Sequence, residues 1–498
     1  MKEPRRGVLR VLFVAAEAVP WIKSGGLGDV MGALPRELFN LGHEVATVLP
    51  LFASVDRAEA GLELLATIHV RFLGNDFPTR IFAASYPRSE CRALFIENQY
   101  YFERTGIYDD PLTGKPWPDD DERWFFFQTA LLELVRQTDM QPDLIVCSDW
   151  HTALIPALLR IRHQENRALQ QTRSVLSLHN LGYQGVLPAE SITKLGLPRE
   201  LLFPLSPFEF YGQLNCLKAG ISFADEVVTV SPTYAREICT AGLGHGLDGV
   251  LRQHGERVRG ILNGIDVEEW NPATDPLLEE PFSSSHLPRK AGNRPRLLRE
   301  FGLDPGFGGP VLAMVTRLTG QKGMNILAGC LDRLLQRDLR LVILGSGEAQ
   351  FEKFLSDVAA AHPERMAVRV GYSEALAHLI YAGADFFLMP SRYEPCGLSQ
   401  MYSMRYGTLP VVHATGGLKD TVIPFLEDAD RATGFAFEDY NAEALLESVD
   451  TALSAWRNPR AMRRLQKNAM KQDFSWAHSA KLYEELFYQV REHSRWGE

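Results

Sequence analysis

The sequence predicts an α/β protein made of two successive parallel-sheet domains. Three observations lead to this prediction: the length, the alternation of short apolar strands with helical stretches, and a polar break after Ile265. A chain of 498 residues is long enough for two or three domains. Strand–helix–strand alternation favours a parallel sheet that is covered by helices on both faces.

In the first half of the chain, short apolar runs have the length of buried strands. Helical patterns lie between several of them, over residues 123–138 and 152–163. Between residues 70 and 97 the pattern instead favours adjacent strands, which predicts an antiparallel insert. The five predicted strands are residues 11–16, 44–49, 143–147, 175–178 and 226–230.

The second domain is predicted to follow a long polar segment. Residues 271–295 are rich in Pro and Ser without a sustained period, so they are expected to form a linker or long loop. Because ligands bind at the carboxyl ends of parallel strands, two such domains imply two sheets facing across a cleft that holds the site. The predicted strands here are residues 311–315, 339–344, 367–370, 385–389 and 410–412.

Composition excludes several classes of protein. The net charge is −10, from 52 basic and 62 acidic residues, which argues against a nucleic-acid-binding protein. No run of about 18 apolar residues predicts a membrane span. The first apolar run ends at Glu17, too early for a signal peptide, and is predicted to be a buried strand. Six scattered cysteines without a C-x-x-C pair are expected to be reduced thiols, and the expected compartment is the cytoplasm.

The first motif is K-S-G-G-L-G-D-V at residues 23–30, between a predicted strand and a helical stretch. Gly25 and Gly26 would let backbone N–H groups approach an anion, and the following helix adds its positive end. Lys23 would supply a formal charge to a phosphate. The spacing matches neither the P-loop nor the dinucleotide fingerprint. A plain glycine-rich turn is the alternative.

The second motif is T-R-L-T-G-Q-K-G at residues 316–323, directly after a predicted strand. Arg317 and Lys322 would place two cations at the strand end, which suits a diphosphate and the charge that it develops on leaving. Gly320 and Gly323 permit close backbone approach. The alternative is a solvated basic loop.

The third motif is S-R-Y-E-P-C-G-L-S-Q at residues 391–400. Pro395 keeps Glu394 out of helical conformation, and Gly397 is expected near the start of the next helix. A carboxylate at a strand end beside a helix N-terminus suits a sugar hydroxyl. A surface glutamate is the alternative.

Two further segments follow predicted strands: S-D-W-H at residues 148–151 and L-H-N-L-G-Y-Q-G at residues 178–185. Together they offer a carboxylate, an aromatic platform and imidazoles, which suits carbohydrate binding, although either histidine alone is more often structural. No H-E-x-x-H or paired C-x-x-C is present, and the two D-x-D pairs do not follow strands, so no metal site is expected. G-x-S-x-G is also missing. The binding candidates are Asp149, Trp150, His151 and His179.

These motifs resemble the bacterial glycogen synthase and plant starch synthase family of retaining GT-B glycosyltransferases. Further matching segments lie between and after them in the family's order, including L-K-A-G-I at 217–221, N-G-I-D-V-E-E-W-N-P at 263–272 and T-G-G-L-K-D-T-V at 415–422. The resemblance covers residues 9–483. It implies glucose transfer from ADP-glucose to the non-reducing end of an α-1,4-glucan, with glycogen or a malto-oligosaccharide as acceptor.

The resemblance also implies roles for individual residues and a domain arrangement. The catalytic set would be Glu394, Arg317, Lys322 and His179. The implied domains are residues 1–265 on the acceptor side, residues 266–474 for the nucleotide sugar, and residues 475–498 as a helix that crosses back. The implied substrate-binding residues are Lys23, Gly25, Gly26, Asp29, Asp149, Trp150, His151, Asn263, Tyr372, Cys396, Gly397, Leu398 and Ser399.

No cofactor and no metal ion are expected, and neither nucleic acid nor membrane is an expected partner. Small departures from the family pattern include Ser24, Gly28 and Ser399, with His413 where Arg is common and Met324 where a polar residue is common. The alternatives are a UDP-glucose-preferring synthase, a glucan phosphorylase-like enzyme with pyridoxal phosphate, and a catalytically silent glucan-binding relative.

Overall fold

The structure is a computed structural model that describes residues 7–138, 140–163, 166–255 and 258–492. Within these ranges the chain divides into two compact units. Unit 1 contains residues 7–230, 235–261 and 476–492, and unit 2 contains Ser231–Tyr234 and Leu262–Ser475. No helix in the described ranges is long and apolar enough to cross a membrane.

Unit 1 is built on a nine-stranded sheet. Its strand order is β14-β13-β9-β8-β1-β2-β5-β4-β3, in which β3 and β4 pair antiparallel and β4 pairs antiparallel with β5, while the other pairs are parallel. This confirms the predicted antiparallel insert. The strands of this sheet are β1 Arg10–Val14, β2 Glu44–Pro50, β3 Glu63–Phe72, β4 Asn75–Ser85, β5 Arg92–Ile96, β8 Leu144–Ser148, β9 Arg173–Leu178, β13 Glu226–Thr229 and β14 Val258–Gly260. Two smaller sheets are formed by β6 Asp109–Asp110 with β7 Lys115–Pro116, and by β10 Val186–Leu187, β11 Glu209–Phe210 and β12 Gln213–Asn215.

Helices pack on this sheet through apolar faces. In α1 (Gly26–Asn40), Leu27, Val30, Met31 and Leu34 are buried with helical spacing. The predicted strand that contains Val11 becomes β1, whose residues 11–14 are all buried. The remaining helices in this part of the chain are α2 Gln99–Phe102, α3 Asp120–Gln137, α4 Ile155–Ile161, α5 Ser191–Lys194, α6 Cys216–Phe223, α7 Pro232–Glu237 and α8 Asp248–His254. The first residues of α7 are assigned to unit 2 and the rest to unit 1.

Unit 2 contains a six-stranded, fully parallel sheet in the order β17-β16-β15-β18-β19-β20. The strands are β15 Val311–Val315, β16 Arg340–Gly345, β17 Met366–Val370, β18 Phe386–Met389, β19 Leu409–His413 and β20 Phe435–Phe437. The helices are α9 Arg294–Glu300, α10 Met324–Ala328, α11 Leu331–Leu335, α12 Ala349–Ala361, α13 Glu374–Gly383, α14 Ser399–Arg405, α15 Gly416–Thr421, α16 Ala442–Trp456 and α17 Pro459–Met470. The sequence analysis missed β20.

The predicted linker over residues 271–295 is wrong in part. Leu278 and Phe282 are buried in the core of unit 2, a 3-10 turn covers Leu287–Asn293, and α9 begins at Arg294. The segment has too few apolar residues to show a period, yet these few are enough to hold it against unit 2.

The last helix, α18 (Trp476–Glu492), belongs to unit 1. The ring of Phe487 lies 6.2 Å from that of Phe13 in β1, and the Tyr488 hydroxyl donates a hydrogen bond to the Gly7 carbonyl at 3.0 Å. Its apolar face thus completes the covering of the unit 1 sheet.

Both sheets have a point where the direction of strand addition reverses. In unit 2 it lies between β15 and β18, and in unit 1 it lies between β1 and β8. Loops that leave such neighbouring strands diverge and open a crevice for ligands. The motifs that contain Arg317, Glu394, Lys23 and Asp149 follow these four strands.

Candidate active site

The crevice of unit 2 contains a buried ion pair. Lys322, in the loop after β15, places its Nζ 2.6 Å from Oε2 of Glu394, in the loop after β18. The Ser391 hydroxyl donates to the same oxygen at 3.0 Å. The side chains are only 17% and 7% exposed, so both partners are held at the end of the sheet with little solvent between them.

The two loops that carry this pair hold each other in place. The Arg392 amide donates to the Gln321 carbonyl at 2.8 Å, which links one loop to the other. Gly323 has φ +82°, and a Cβ there would collide with the Pro390 carbonyl. Glycine in the T-R-L-T-G-Q-K-G motif is therefore needed for the loop contact, in addition to any contact with a ligand.

A third segment, at the start of α15, supports Glu394 through backbone contacts. The Gly417 amide donates to the carbonyls of Glu394 and Pro395 at 3.1 and 3.2 Å. Gly416 has φ +44° and approaches the Glu394 carbonyl so closely that a side chain would not fit. The sequence analysis did not predict that these glycines support the loop that carries Glu394. The T-G-G-L motif was the feature of the sequence that could have indicated it.

His413 is a second supporting residue that the sequence analysis did not assign. Its Nδ1 lies 2.8 Å from the Ser391 carbonyl oxygen and its Nε2 lies 3.1 Å from the Glu438 carbonyl oxygen. The ring therefore joins the end of β19 to the loop that carries Glu394. The signal was its position at the end of a buried strand.

A small cavity of about 60 Å³ opens beside the ion pair. It brings together five of the predicted site residues with the carboxyl ends of β15 and β18. Those five are Lys322, Glu394, Gly397, Leu398 and Ser399. These five residues therefore form one connected group of side chains and backbone at the end of the unit 2 sheet.

Four other predicted residues of unit 2 differ in exposure. Arg317 and Tyr372 are exposed, and the Tyr372 ring is 70% accessible. Asn263 is buried, and its Oδ1 has no hydrogen-bond partner among the described residues, so it offers an acceptor to a ligand. Burial raises the pKa of the Cys396 thiol to about 12, so this thiol is neutral at pH 7.

In unit 1 the predicted phosphate loop is organised by a residue that sequence reasoning missed. Glu17 is 2% exposed and follows β1. Its carboxylate accepts hydrogen bonds from the Ser24 amide at 2.5 Å, the Gly25 amide at 2.9 Å and the Tyr108 hydroxyl at 2.8 Å. The Gly25 amide, which the sequence analysis assigned to a ligand anion, therefore donates to the Glu17 carboxylate. An acidic residue directly after a buried apolar strand was the available signal.

Lys23 and Asp29 lie on the exposed side of this loop, where Lys23 Nζ is 2.7 Å from Asp29 Oδ1. Lys23 is 55% exposed, and an exposed pair of this kind contributes about 0–1 kcal/mol. The lysine can therefore exchange its partner for a ligand anion at small energetic cost. Gly26 begins α1.

Asp149 and His179 form a second cluster in unit 1, at the ends of β8 and β9. Asp149 has φ +55° and accepts a hydrogen bond from the His179 amide at 2.8 Å. Burial raises the pKa of the Asp149 carboxyl to about 7, and Glu17 adds to this rise. Burial lowers the pKa of His179 to about 4, so its imidazole is neutral at pH 7 and can donate one hydrogen bond and accept another.

His151 and Trp150 belong to an aromatic cluster. The His151 ring lies 4.2 Å from Trp150, 4.5 Å from Trp124 and 4.9 Å from Tyr108. Burial, with a contribution from Arg123, lowers the pKa of His151 well below its ordinary value. The structure places His151 as a buried neutral ring, while Trp150 retains partial exposure.

Two family models match the chain. The model described as the starch synthase catalytic domain matches residues 10–253, and the model described as glycosyl transferases group 1 matches residues 305–472. The chain is 45% identical to a glycogen synthase from Anaeromyxobacter sp. (strain Fw109-5) over 480 residues, which is 96% of this chain and 99% of the relative. It is 41% identical to a glycogen synthase from Moorella thermoacetica, with 98% of each chain covered.

Solved structures are similar over nearly the whole chain. The catalytic domain of starch synthase IV from Arabidopsis thaliana, bound to ADP and acarbose, has a TM-score of 0.89 and 33% identity, covering 98% of this chain and all of that one. A sucrose-phosphate synthase from Thermosynechococcus elongatus shares the fold, with a TM-score of 0.59 and 17% identity. The match covers 97% of this chain and 99% of that one. The predicted α/β fold of two Rossmann-like GT-B domains is confirmed, and the chain belongs to the glycogen synthase and starch synthase family of glycosyltransferases.

Proposed function

We propose that this glycosyltransferase moves glucose from ADP-glucose to the non-reducing end of an α-1,4-glucan, with retention of configuration. The observation that carries the proposal is the buried Lys322–Glu394 pair at the reversal point of the unit 2 sheet. It places a cation and a carboxylate at one ligand crevice, which suits a sugar joined to a diphosphate. The similar starch synthase IV structure, which is bound to ADP and acarbose, supports a nucleotide and a glucan as ligands.

The diphosphate is assigned to Arg317 and Lys322. When the bond between glucose and phosphate breaks, negative charge accumulates on ADP, and fixed cations stabilise that charge without solvent reorganisation. Arg317 is exposed at the end of β15 and is available to a ligand in the crevice. Glu394 pairs with the partly buried Lys322 ammonium, so the position of this cation beside the crevice is set by an internal partner.

Glu394 is assigned to the transferred glucose. Its carboxylate is ordered by Lys322 and Ser391 and borders the cavity lined by Gly397, Leu398 and Ser399. A carboxylate whose oxygen is committed to these two donors is suited to accept hydrogen bonds from sugar hydroxyls. Both donors reach Oε2, and these contacts withdraw negative charge from the carboxylate, so Glu394 is assigned to binding the sugar and not to attack on the anomeric carbon.

Retention is therefore proposed to proceed without a protein nucleophile. The acceptor hydroxyl would attack the anomeric carbon on the face from which the diphosphate departs, through an oxocarbenium-like state. The cations of unit 2 would hold the departing diphosphate beside that face. His179 is assigned to the transferred sugar as a neutral hydrogen-bonding ring, consistent with its lowered pKa.

The remaining assignments follow from the same function. In unit 1, the loop residues proposed to bind substrate are Lys23, Gly25, Gly26 and Asp29. The residues proposed to bind carbohydrate or to support those that do are Asp149, Trp150 and His151. Asn263, Tyr372 and Cys396 are proposed to contact the nucleotide sugar. We propose that transfer needs no cofactor or metal ion, and that it occurs in the cytoplasm on glycogen or malto-oligosaccharide, without nucleic acid or membrane as partner.

The proposal is tested with purified protein, a malto-oligosaccharide acceptor, and either ADP-glucose or UDP-glucose. We expect ADP release with ADP-glucose to exceed UDP release with UDP-glucose, and proton NMR of the product to show newly formed α-1,4 linkages. Lys353→Ala is the matched control, since Lys353 is a highly exposed lysine of unit 2 paired with Asp357. Faster turnover of UDP-glucose would contradict the donor assignment, and a β linkage in the product would contradict retention.

A further inference from the structure

We infer that unit 2 has a binding site for a divalent transition-metal ion, formed by Glu269, Glu374 and His378. One ligand atom from each of these residues lies within 4.8 Å of the others. These residues are separate from the Lys322–Glu394 pair, and none has a part in the proposed transfer. The inference therefore goes beyond the proposed function.

The histidine is prepared as a ligand by a buried carboxylate. His378 Nδ1 lies 2.8 Å from Asp275 Oδ2, and the Tyr406 hydroxyl donates to the same oxygen at 2.6 Å. A carboxylate accepts hydrogen bonds, and Oδ2 of Asp275 accepts from the Tyr406 hydroxyl and from His378, so Nδ1 is the donor of the His378 ring in this contact.

The other ring nitrogen of His378 is then a lone-pair donor. His378 is 2% exposed, and within the described part of the chain its Nε2 has no hydrogen-bond partner. The ring is fixed by stacking on Trp270, with centroids 3.9 Å apart and planes 16° from parallel. A histidine with one ring nitrogen held by a carboxylate and the other without a protein partner is the arrangement by which proteins orient an imidazole toward a metal ion.

The two glutamates supply oxygen ligands from a side that solvent can reach. Glu374 and His378 lie four residues apart on α13, which places them on one face of the helix. Glu269 precedes Trp270, the residue that stacks on the histidine. Both glutamates are exposed, so their side chains can close on an ion that enters from water.

The donor set indicates the class of metal. One imidazole nitrogen with two carboxylates suits Zn²⁺, which binds such ligands at about 2.0–2.2 Å and takes water in a remaining position. Mg²⁺ and Ca²⁺ prefer oxygen ligands alone. The sequence patterns could not indicate this site, because Glu269 is far from Glu374 in the chain and the helix pair is Glu and His rather than H-E-x-x-H.

The test is calorimetric titration of the untagged, chelator-treated and dialysed full chain with ZnCl₂. We expect one site that Glu374→Gln and Glu269→Gln each weaken at least tenfold, and that Asp275→Asn weakens by about 10–100-fold through the histidine. Glu364→Gln, an exposed glutamate of the same unit, is the control and should bind as the parent does. All these variants keep the six cysteines, so zinc on thiols would not respond to them.

Thermal unfolding gives a second readout that does not depend on activity. Zinc should raise the unfolding midpoint of the parent protein and of Glu364→Gln by several degrees, because it binds the folded state. At the same zinc concentration the rise should be clearly smaller in Glu374→Gln, since its zinc affinity is expected to be at least tenfold lower. Failure of the parent protein to bind zinc, equal affinity for MgCl₂, or unchanged zinc binding by both glutamine variants would overturn the inference.

Discussion

Replacing Glu17 should separate the role of its charge from the role of its hydrogen bonds. The carboxylate accepts from two loop amides and from the Tyr108 hydroxyl while it is almost completely buried. In Glu17→Gln, the amide oxygen can still accept from Ser24 and Gly25, and its NH₂ group can donate to a rotated Tyr108 hydroxyl. The hydrogen bonds survive without the charge.

The expected magnitudes follow from this geometry. A hydrogen bond to a charged group contributes about 1.5–3 kcal/mol and a neutral one about 0.5–1.5 kcal/mol. Relief from burying a charge offsets part of the loss, so Glu17→Gln should cost about 1–2 kcal/mol of unfolding free energy. Glu17→Ala removes all three acceptor contacts. Because the two amides belong to an exposed loop that water can reach, its cost should be about 3 kcal/mol rather than the full sum.

The assay is urea unfolding followed by tryptophan fluorescence, with Glu59→Ala as an exposed glutamate control in unit 1. The Michaelis constant for ADP-glucose should also rise in Glu17→Ala, since the Lys23 loop loses its internal support. A Glu17→Ala protein within about 0.5 kcal/mol of the parent, which is the range of ordinary surface changes, would refute this reasoning.

Three further outcomes are expected. Turnover should persist in excess EDTA, because the charge of the diphosphate is met by Arg317 and Lys322; complete loss that added metal restores would contradict this. Lys23→Ala should raise the donor Michaelis constant more than Glu394→Ala does, since Lys23 meets charge already present in the ground state, and equal effects would count against that division. Finally, burial lowers the pKa of His179 in the folded state from 6.5 to about 4, so its contribution to stability is present above pH 6.5 and is lost as the pH falls through 4. The unfolding midpoint of His179→Gln should therefore depend less on pH between these values than that of the parent protein. An unchanged pH dependence would argue against the lowered pKa.

Much of the fold could be predicted from the sequence because the central strands of both sheets, such as β1 and β15, are buried on two faces. Continuous apolar runs such as those of β1 and β15 have no other stable place than the interior of a parallel sheet. β20 was missed because it has only three residues, and residues 271–295 were misjudged because burial there depends on a few contacts far apart in the chain.

The candidate site could be predicted only where a chemical group lies within a motif. Arg317, Lys322 and Glu394 stand at strand ends in recognisable segments. Glu17 and His413 act through backbone groups of distant loops, and no spacing in the sequence shows which loop a side chain will reach. For His151 the motif predicts a ligand contact but does not reveal its packing, because the ring contacts with Trp124 and Trp150 depend on the folded structure.

The most direct test of the proposed mechanism is the turnover number of Arg317→Ala and Lys322→Ala at saturating ADP-glucose. Loss of one group that stabilises developing charge costs on the order of 10²–10³ in kcat, and each variant should fall by about that factor with a smaller change in the Michaelis constant. The double variant should lose less than the product of the single losses, because both cations act on one diphosphate. Arg317→Lys should recover only part of the rate, since the planar two-pronged donor is absent.

Two controls keep this measurement specific. Lys322→Ala leaves Glu394 without its counterion, so its unfolding midpoint must be measured and turnover compared at a temperature where it is folded. Lys353→Ala again serves as the exposed lysine control. Stabilised departure of ADP predicts a loss in kcat for both alanine variants. A near-normal kcat with only a raised Michaelis constant in either variant would contradict this prediction. The residue concerned would then bind substrate without stabilising the departing ADP.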